Sequence, residues 1–267
     1  MNETARKPVD RFWHLLANPW KRNAMAEADP KTGFTITLPG GALPVAVRRH
    51  PQARRVSIRM DPRGNGAILT LPQWMPLRDG MNFVERHRGW LSETAAGRPA
   101  PVPFAPGAVI PFQDTELVID HDANRRGHAR IDGNRLRVGG DEPHLARRVR
   151  DALKKEARRE FRTLVTAKAG LIGKRPGRIS IRDQTSRWGS CSSNGDLNFN
   201  WRLICAPAFV ADYVVAHEVA HLVYMDHSAA FWRQVAALTD HPETGRTWLR
   251  GNGAGLHRIG SDDSVAV

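Results

Sequence analysis

The five residues His217-Glu218-Val219-Ala220-His221 constrain the chain more than any other stretch. They lie in an apolar run, with Tyr213-Val214-Val215-Ala216 before them and Leu222-Val223-Tyr224 after. Such a run reads as a mostly buried helix. Successive helical residues turn by about 100°, so positions four apart share one face, one turn apart. His217 and His221 can therefore aim two imidazoles at one point, and burying them there without a ligand would be costly. An ion between them removes that cost. Glu218 stands beside the first imidazole, able to reach a metal-bound water without itself ligating, as in the H-E-x-x-H arrangement. A catalytic zinc takes about three protein ligands and leaves one position for water. His227, ten residues after His217, is the natural third ligand once the chain turns beyond the helix.

Composition narrows the class. A chain of 267 residues can hold one large or two small domains and bury a sizeable core. A hydrophobic fraction of 41% with eight tryptophans excludes a disordered chain. No run of eighteen apolar residues is present, so no membrane-spanning helix and no membrane partner are expected. The N-terminal stretch lacks the apolar core of a secretory signal, which makes the cytoplasm the expected location. Two cysteines, Cys191 and Cys205, are too few for a disulfide framework. With Asn194-Gly195-Asp196 as a hairpin turn, Cys191 falls opposite about Phe199 and Cys205 lies beyond the paired part. Both read as buried free thiols.

The net charge is +13, and Arg147 to Arg178 supplies +9 of it through twelve Lys/Arg against Asp151, Glu156 and Glu160. That concentration fits either a solvated helix face or an attractor of nucleic acid.

Along the chain, residues 1–30 read as an N-terminal arm. Residues 31–140 read as a β-rich region with one helix, over Leu77 to Ala96. Its strands are expected at Phe34–Leu38, Leu43–Arg49, Arg54–Met60, Gly66–Leu71, Glu116–Asp120, Ala129–Ile131 and Arg135–Val138. Asp132-Gly133-Asn134 marks a tight turn, and Gly97 to Gly107, with four prolines, an extended connector. No internal repeat is evident. In the third part, 141–251, Leu145, Val149, Leu153, Ala157, Phe161 and Val165 recur every four residues as the buried stripe of a long helix. A strand over Arg178–Arg182 follows, then alternation that puts Leu197, Phe199, Trp201 and Leu203 on one face and Asn198, Asn200 and Arg202 on the other. Pro207 opens the motif helix, and Ser228 is the N-cap of a further one ending at Leu238. Residues 252–267 read as a flexible tail.

These residues also carry a resemblance. Arg187-Trp-Gly-Ser-Cys191, Asn200-Trp-Arg within Leu197 to Leu203, Ala206-Pro207, Asp212 to Leu222 and His227-Ser-Ala-Ala-Phe-Trp232 together resemble the YgjP-type metallopeptidases, relatives of the SprT/Spartan-type zincins. The resemblance implies an α+β fold whose zincin-like C-terminal domain has a backing helix, a small antiparallel or mixed sheet and a metal-binding helix. It implies one zinc ion on His217, His221 and His227, and Glu218 as catalytic base. The histidine spacing also matches the metzincins, but Tyr224 stands where those have glycine and no Met-turn follows. A distal glutamate ligand is the other rival; Glu243 follows Pro242 with no helix evident there, so His227 is preferred.

In zincins the strand before the metal helix lines the cleft and pairs with extended substrate. That gives Leu197–Leu203, or Gly189–Ser193, a second role. Arg187, Tyr224 and Asn200 are candidates for substrate or oxyanion contacts, with bracing of the fold the alternative. The expected function is a zinc-dependent metallopeptidase acting on proteins or peptides. The alternatives are a nucleic-acid-associated protease that uses the basic helix 147–178 to reach DNA-bound proteins, and a non-peptidase zinc hydrolase.

Overall fold

Alternating apolar and polar residues build the first of three small sheets. The computed structural model describes residues 33–64 and 66–261, so the arm expected over 1–30 lies outside them. Strand β1 (Phe34–Leu38) buries Phe34, Ile36 and Leu38 and exposes the two residues between. It pairs antiparallel with β2 (Gly41–His50), which runs parallel to β4 (Ala67–Pro72). At the far edge β3 (Ser57–Met60) pairs antiparallel with β4. Val84 of α1 (Leu77–Arg86) and Leu91 of α2 (Arg88–Ala96) complete this core. One helix was expected here; there are two, divided at His87, whose ring Nδ1–H donates back to the Phe83 carbonyl at 2.8 Å.

The second sheet is built from β5 (Val109–Phe112), β6 (Thr115–Asp122), β7 (Arg130–Asp132) and β8 (Arg135–Gly139), in the order β5-β6-β8-β7. Strand β5 has no clear signal in the sequence because Pro111 sits inside it. Its outer pairs are antiparallel and its central pair, β6 with β8, is parallel. The first sheet has the same order, β1-β2-β4-β3, and the same pairing senses. The chain therefore repeats one topological plan, which was not evident from sequence because a strand plan can be kept while its side chains differ.

A boundary near residue 140 was also expected. Instead Ile110, Leu117, Ile119, Leu136 and Val138 share a core with Leu145, Val149 and Phe161 of α3 (Leu145–Leu171), while the first sheet keeps a separate core. The division between cores lies at the proline-rich connector, not after the second sheet.

The third sheet has the order β10-β11-β9, from β9 (Ile179–Arg182), β10 (Gly189–Cys191) and β11 (Leu197–Asn200). Cys191 lies opposite Leu197, two positions from the expected Phe199, because Gly195 turns the chain with φ 77° and the hairpin closes earlier. Cys191 is only half-buried, whereas Cys205 is buried and both are free thiols. The alternation read through Leu203 stops at Asn200. There the Asn200 side chain accepts from the Arg202 N–H at 3.0 Å and turns the chain into a 3-10 helix, Trp201–Cys205. Trp201, Arg202 and Leu203 are all buried as a result.

Helices α4 (Ala208–Ala220), α5 (Ala229–Leu238) and α6 (Pro242–Arg258) complete the α+β fold. Pro242 does not stop α6; it occupies the first turn, where no backbone N–H is needed. The flexible tail expected from residue 252 is, as far as Ser261, the end of this helix and a docked segment. Leu256, His257 and Arg258 are buried, and Ile259 pairs with Val102 of the connector. No helix among the described residues is long and apolar enough to cross a membrane.

Candidate metal centre

Helix α4 is apolar on nearly every side and buried along its length. Its first free N–H, Ala208, donates to Asp114 Oδ1 at 3.2 Å, an outside cap from the β5–β6 turn. The helix ends at Ala220, and His221 follows as its C-cap, still in helical conformation. The chain then reverses. Asp226 Oδ1 accepts from the Ser228 N–H at 3.2 Å, and Ser228 Oγ accepts from the Phe231 N–H at 3.5 Å to cap α5. These two turns present His227 to α4.

His217, His221 and His227 converge, with one ligand atom of each within 4.8 Å of the others. The Nε2 atoms of His217 and His227 are 3.3 Å apart. Two nitrogens bound tetrahedrally to zinc at about 2.0–2.1 Å would stand about 3.3–3.4 Å apart. His221 Nδ1 lies 2.9 Å from the Tyr224 carbonyl oxygen, which can only accept. Nδ1 therefore carries the proton, leaving the Nε2 lone pair free, the orientation that metal-ligating histidines use.

Burial, with repulsion from His221, His227 and Arg246, lowers the His217 pKa to about 4, so this imidazole is neutral at pH 7. Burial also lowers that of His221. Metal ligation requires neutral imidazoles, and the donor set fits a zinc-like ion. Beneath the three rings lies Phe231, fully buried, stacked on His221 at 4.5 Å and edge-on to His217 and His227 at 4.9 and 4.8 Å.

Glu218 is 6% exposed, and burial raises its pKa to about 7 against an opposing pull from Arg187. Its carboxylate accepts no hydrogen bond from the described residues, so it remains available as a base. Gly189 of β10 explains how it fits. A β-carbon there would come 2.5 Å from Glu218 Oε1, so any other residue would push the carboxylate from its place. Strand β10 is an edge of its sheet, whereas β11 is central and paired on both sides. Of the two stretches considered for the cleft wall, Gly189–Cys191 has the free edge.

The other candidates separate. Arg187 is exposed and its charge is felt at Glu218. Tyr224 contributes its backbone carbonyl to His221; the tyrosine ring beside the cluster is Tyr213, 6.1 Å from His217. Asn200 does not reach the cleft. It is 1% exposed, and its amide N–H donates to the Gln184 carbonyl at 2.6 Å while its oxygen caps the 3-10 helix. A turn-capping asparagine and a strand-facing one look alike in sequence. Tyr213, Phe231, Trp232 and Gly189 were not singled out. The ordered block from Arg187 to Trp232 contained all four, but only packing shows what each touches.

No curated protein matches the chain. Among solved structures, that of the metallopeptidase zymogen of Pyrococcus abyssi abylysin aligns at 23% identity, covering 37% of this chain and 97% of that one with a TM-score of 0.32. The family model for the YgjP-like metallopeptidase domain matches residues 54–252, which takes in β3 through most of α6 and all three histidines. On that match the chain belongs to the YgjP-like metallopeptidase family.

Proposed function

We propose that the protein is a zinc-dependent peptidase with Glu218 as its general base. One observation supports this above the others: three imidazoles converge, and the residue that follows the first of them on the helix is a buried carboxylate whose pKa is raised by burial. His217, His221 and His227 would hold one zinc ion, which when bound acidifies a water and polarises a carbonyl. Glu218 takes a proton from the attacking water and passes it to the leaving amine nitrogen. Burial favours proton uptake by this carboxylate, which suits both transfers. Arg187 offers positive charge where the scissile carbonyl oxygen gains negative charge. The free edge of β10 takes an extended peptide as an added strand. Helix α3 packs on both α4 and the three-stranded sheet, and a zincin-like arrangement of these elements is part of the proposal.

Metal analysis should find one zinc per chain, lost in His221→Ala. Glu218→Gln should keep the zinc and cut casein about 10²- to 10⁴-fold more slowly. A Glu218→Gln protein as active as wild type would sink the reading. Full zinc occupancy with no cleavage of any protein or peptide would instead favour a non-peptidase zinc hydrolase.

A second reading, that the peptidase works on nucleic-acid-bound proteins, draws on one feature of α3. Arg150, Lys154, Arg158 and Arg162 recur every fourth residue, and none has an acidic partner among the described residues, unlike Arg147 with Asp151 and Arg159 with Glu156. A regular, unneutralised row suits a phosphate backbone.

A further inference from the structure

We propose that Arg246 and Trp232 form an anion subsite beside the histidine cluster, selecting peptides that present a carboxylate. It rests on the peptidase reading and extends it. Helix α6 reaches the cluster because Gly245 allows it: a β-carbon there would lie 2.5 Å from Tyr213 Cβ. That contact sets Arg246, the next residue, at the rim. Its guanidinium carbon lies 5.4 Å from the centre of the Trp232 ring. The same ring is 5.7 Å from His217 and 5.9 Å from His227. One indole thus contacts both the cation and the cluster, and the charge of Arg246 is felt at His217.

Other arginines of the domain are occupied by the fold. Arg202 is held by Asp183 and the Ile259 carbonyl, and Arg63 by Asp183. Arg246 differs. Its side chain is 47% exposed, and its ion-pair partner, Glu243, is 79% exposed and at the 4.0 Å limit of contact. A guanidinium lying over an indole keeps its plane and offers its N–H fork outward, the geometry that matches a carboxylate. Two sources share that chemistry: an Asp or Glu side chain a fixed distance from the cut, and the peptide's own C-terminus.

The test uses the zinc-loaded full chain and a proteome-derived peptide library, prepared with free and with amidated C-termini. Wild-type cleavage sites should be enriched in Asp or Glu at one fixed position, or lie a fixed distance from a free C-terminus; amidation removes only the second pattern. In Arg246→Gln the ratio of kcat/KM for acidic over Gln-matched neutral peptides should fall about five- to tenfold, mainly through KM. Arg246→Lys should restore part of it, and Glu243→Gln, which removes the competing carboxylate, should raise it. A purely structural Arg246 would change rates for both peptide classes alike, and that result would overturn the subsite. If wild type cuts nothing, the peptidase reading fails separately. Capture of the same library on zinc-loaded Glu218→Gln then decides the subsite: acidic peptides enriched, and lost with Arg246→Gln added, uphold it, and no difference overturns it.

Discussion

At the scale of single residues, the centre depends on what is missing at one position. Gly189 has no β-carbon, and that absence makes room for the Glu218 carboxylate. Gly189→Ala should keep all three histidines and their zinc, measured by metal analysis, yet lower kcat about 100-fold by displacing the base. The histidine cluster was legible in sequence because part of its spacing is periodic on a helix: that His217 and His221 share a face follows from the 3.6-residue turn alone. His227 needed only the assumption that the chain turns back. Asn200 and Tyr224 are candidates for substrate or oxyanion contacts in the sequence, with bracing of the fold the alternative, because polar and aromatic types near a site invite both readings. In the fold the first caps a turn and the second lends a carbonyl. Residue type does not say which end of a residue is used, and here that was decisive.

Secondary-structure elements carry the next layer. Helix α5 depends on Ser228, and His227 precedes that cap directly. Ser228→Ala should cost about 1 kcal/mol of stability in urea titrations, and it should weaken zinc affinity in a chelator competition, since the cap and the third ligand share one turn. On α3, the quadruple replacement of Arg150, Lys154, Arg158 and Arg162 by Gln tests the nucleic-acid reading. If four phosphates are neutralised, log affinity for duplex DNA should fall with log salt at a slope of about −3.6, and the replacement should abolish that slope. A wild-type protein that ignores DNA at about 50 mM salt removes the reading. The α3 stripe was clear in sequence because all the buried residues of this 27-residue helix except Ala152 and Lys168 recur every fourth position. Strand β11 was overextended because alternating residue types continue past Asn200, where a side-chain cap, not hydrophobicity, ends the strand.

Across the whole molecule, two cores meet through charge. Arg63, from the β3–β4 turn of the first core, and Arg202, from the second, both bind Asp183, and Arg258 at the end of α6 donates to the Arg63 and Gly64 carbonyls at 3.0 and 2.9 Å. Burial alone would raise the Asp183 pKa, but the Arg202 and Arg63 guanidiniums outweigh it and hold it below the ordinary carboxylate value. Its contribution to stability is therefore full above about pH 4, the unfolded value, and is lost as pH falls through the lower folded one. Urea midpoints of wild type should drop over that acid window more steeply than those of Asp183→Asn. At neutral pH that variant should be less stable by about 3–5 kcal/mol, because Arg202 stays buried without its counter-charge. None of this joint could be read from the sequence, since Arg63 lies 120 residues from Asp183 and 195 from Arg258, and no local pattern links even Asp183 with Arg202. The repeated four-strand plan was hidden for a related reason, and it has a consequence for how the chain is loaded. One strand order serves two ends: the second sheet continues into the 27-residue helix that packs on α4, while the first ends in two short helices and keeps its own core. A destabilising change in the first sheet therefore reaches the histidine helix only through the joint at Asp183 and the connector, whereas one in the second is felt through a shared core.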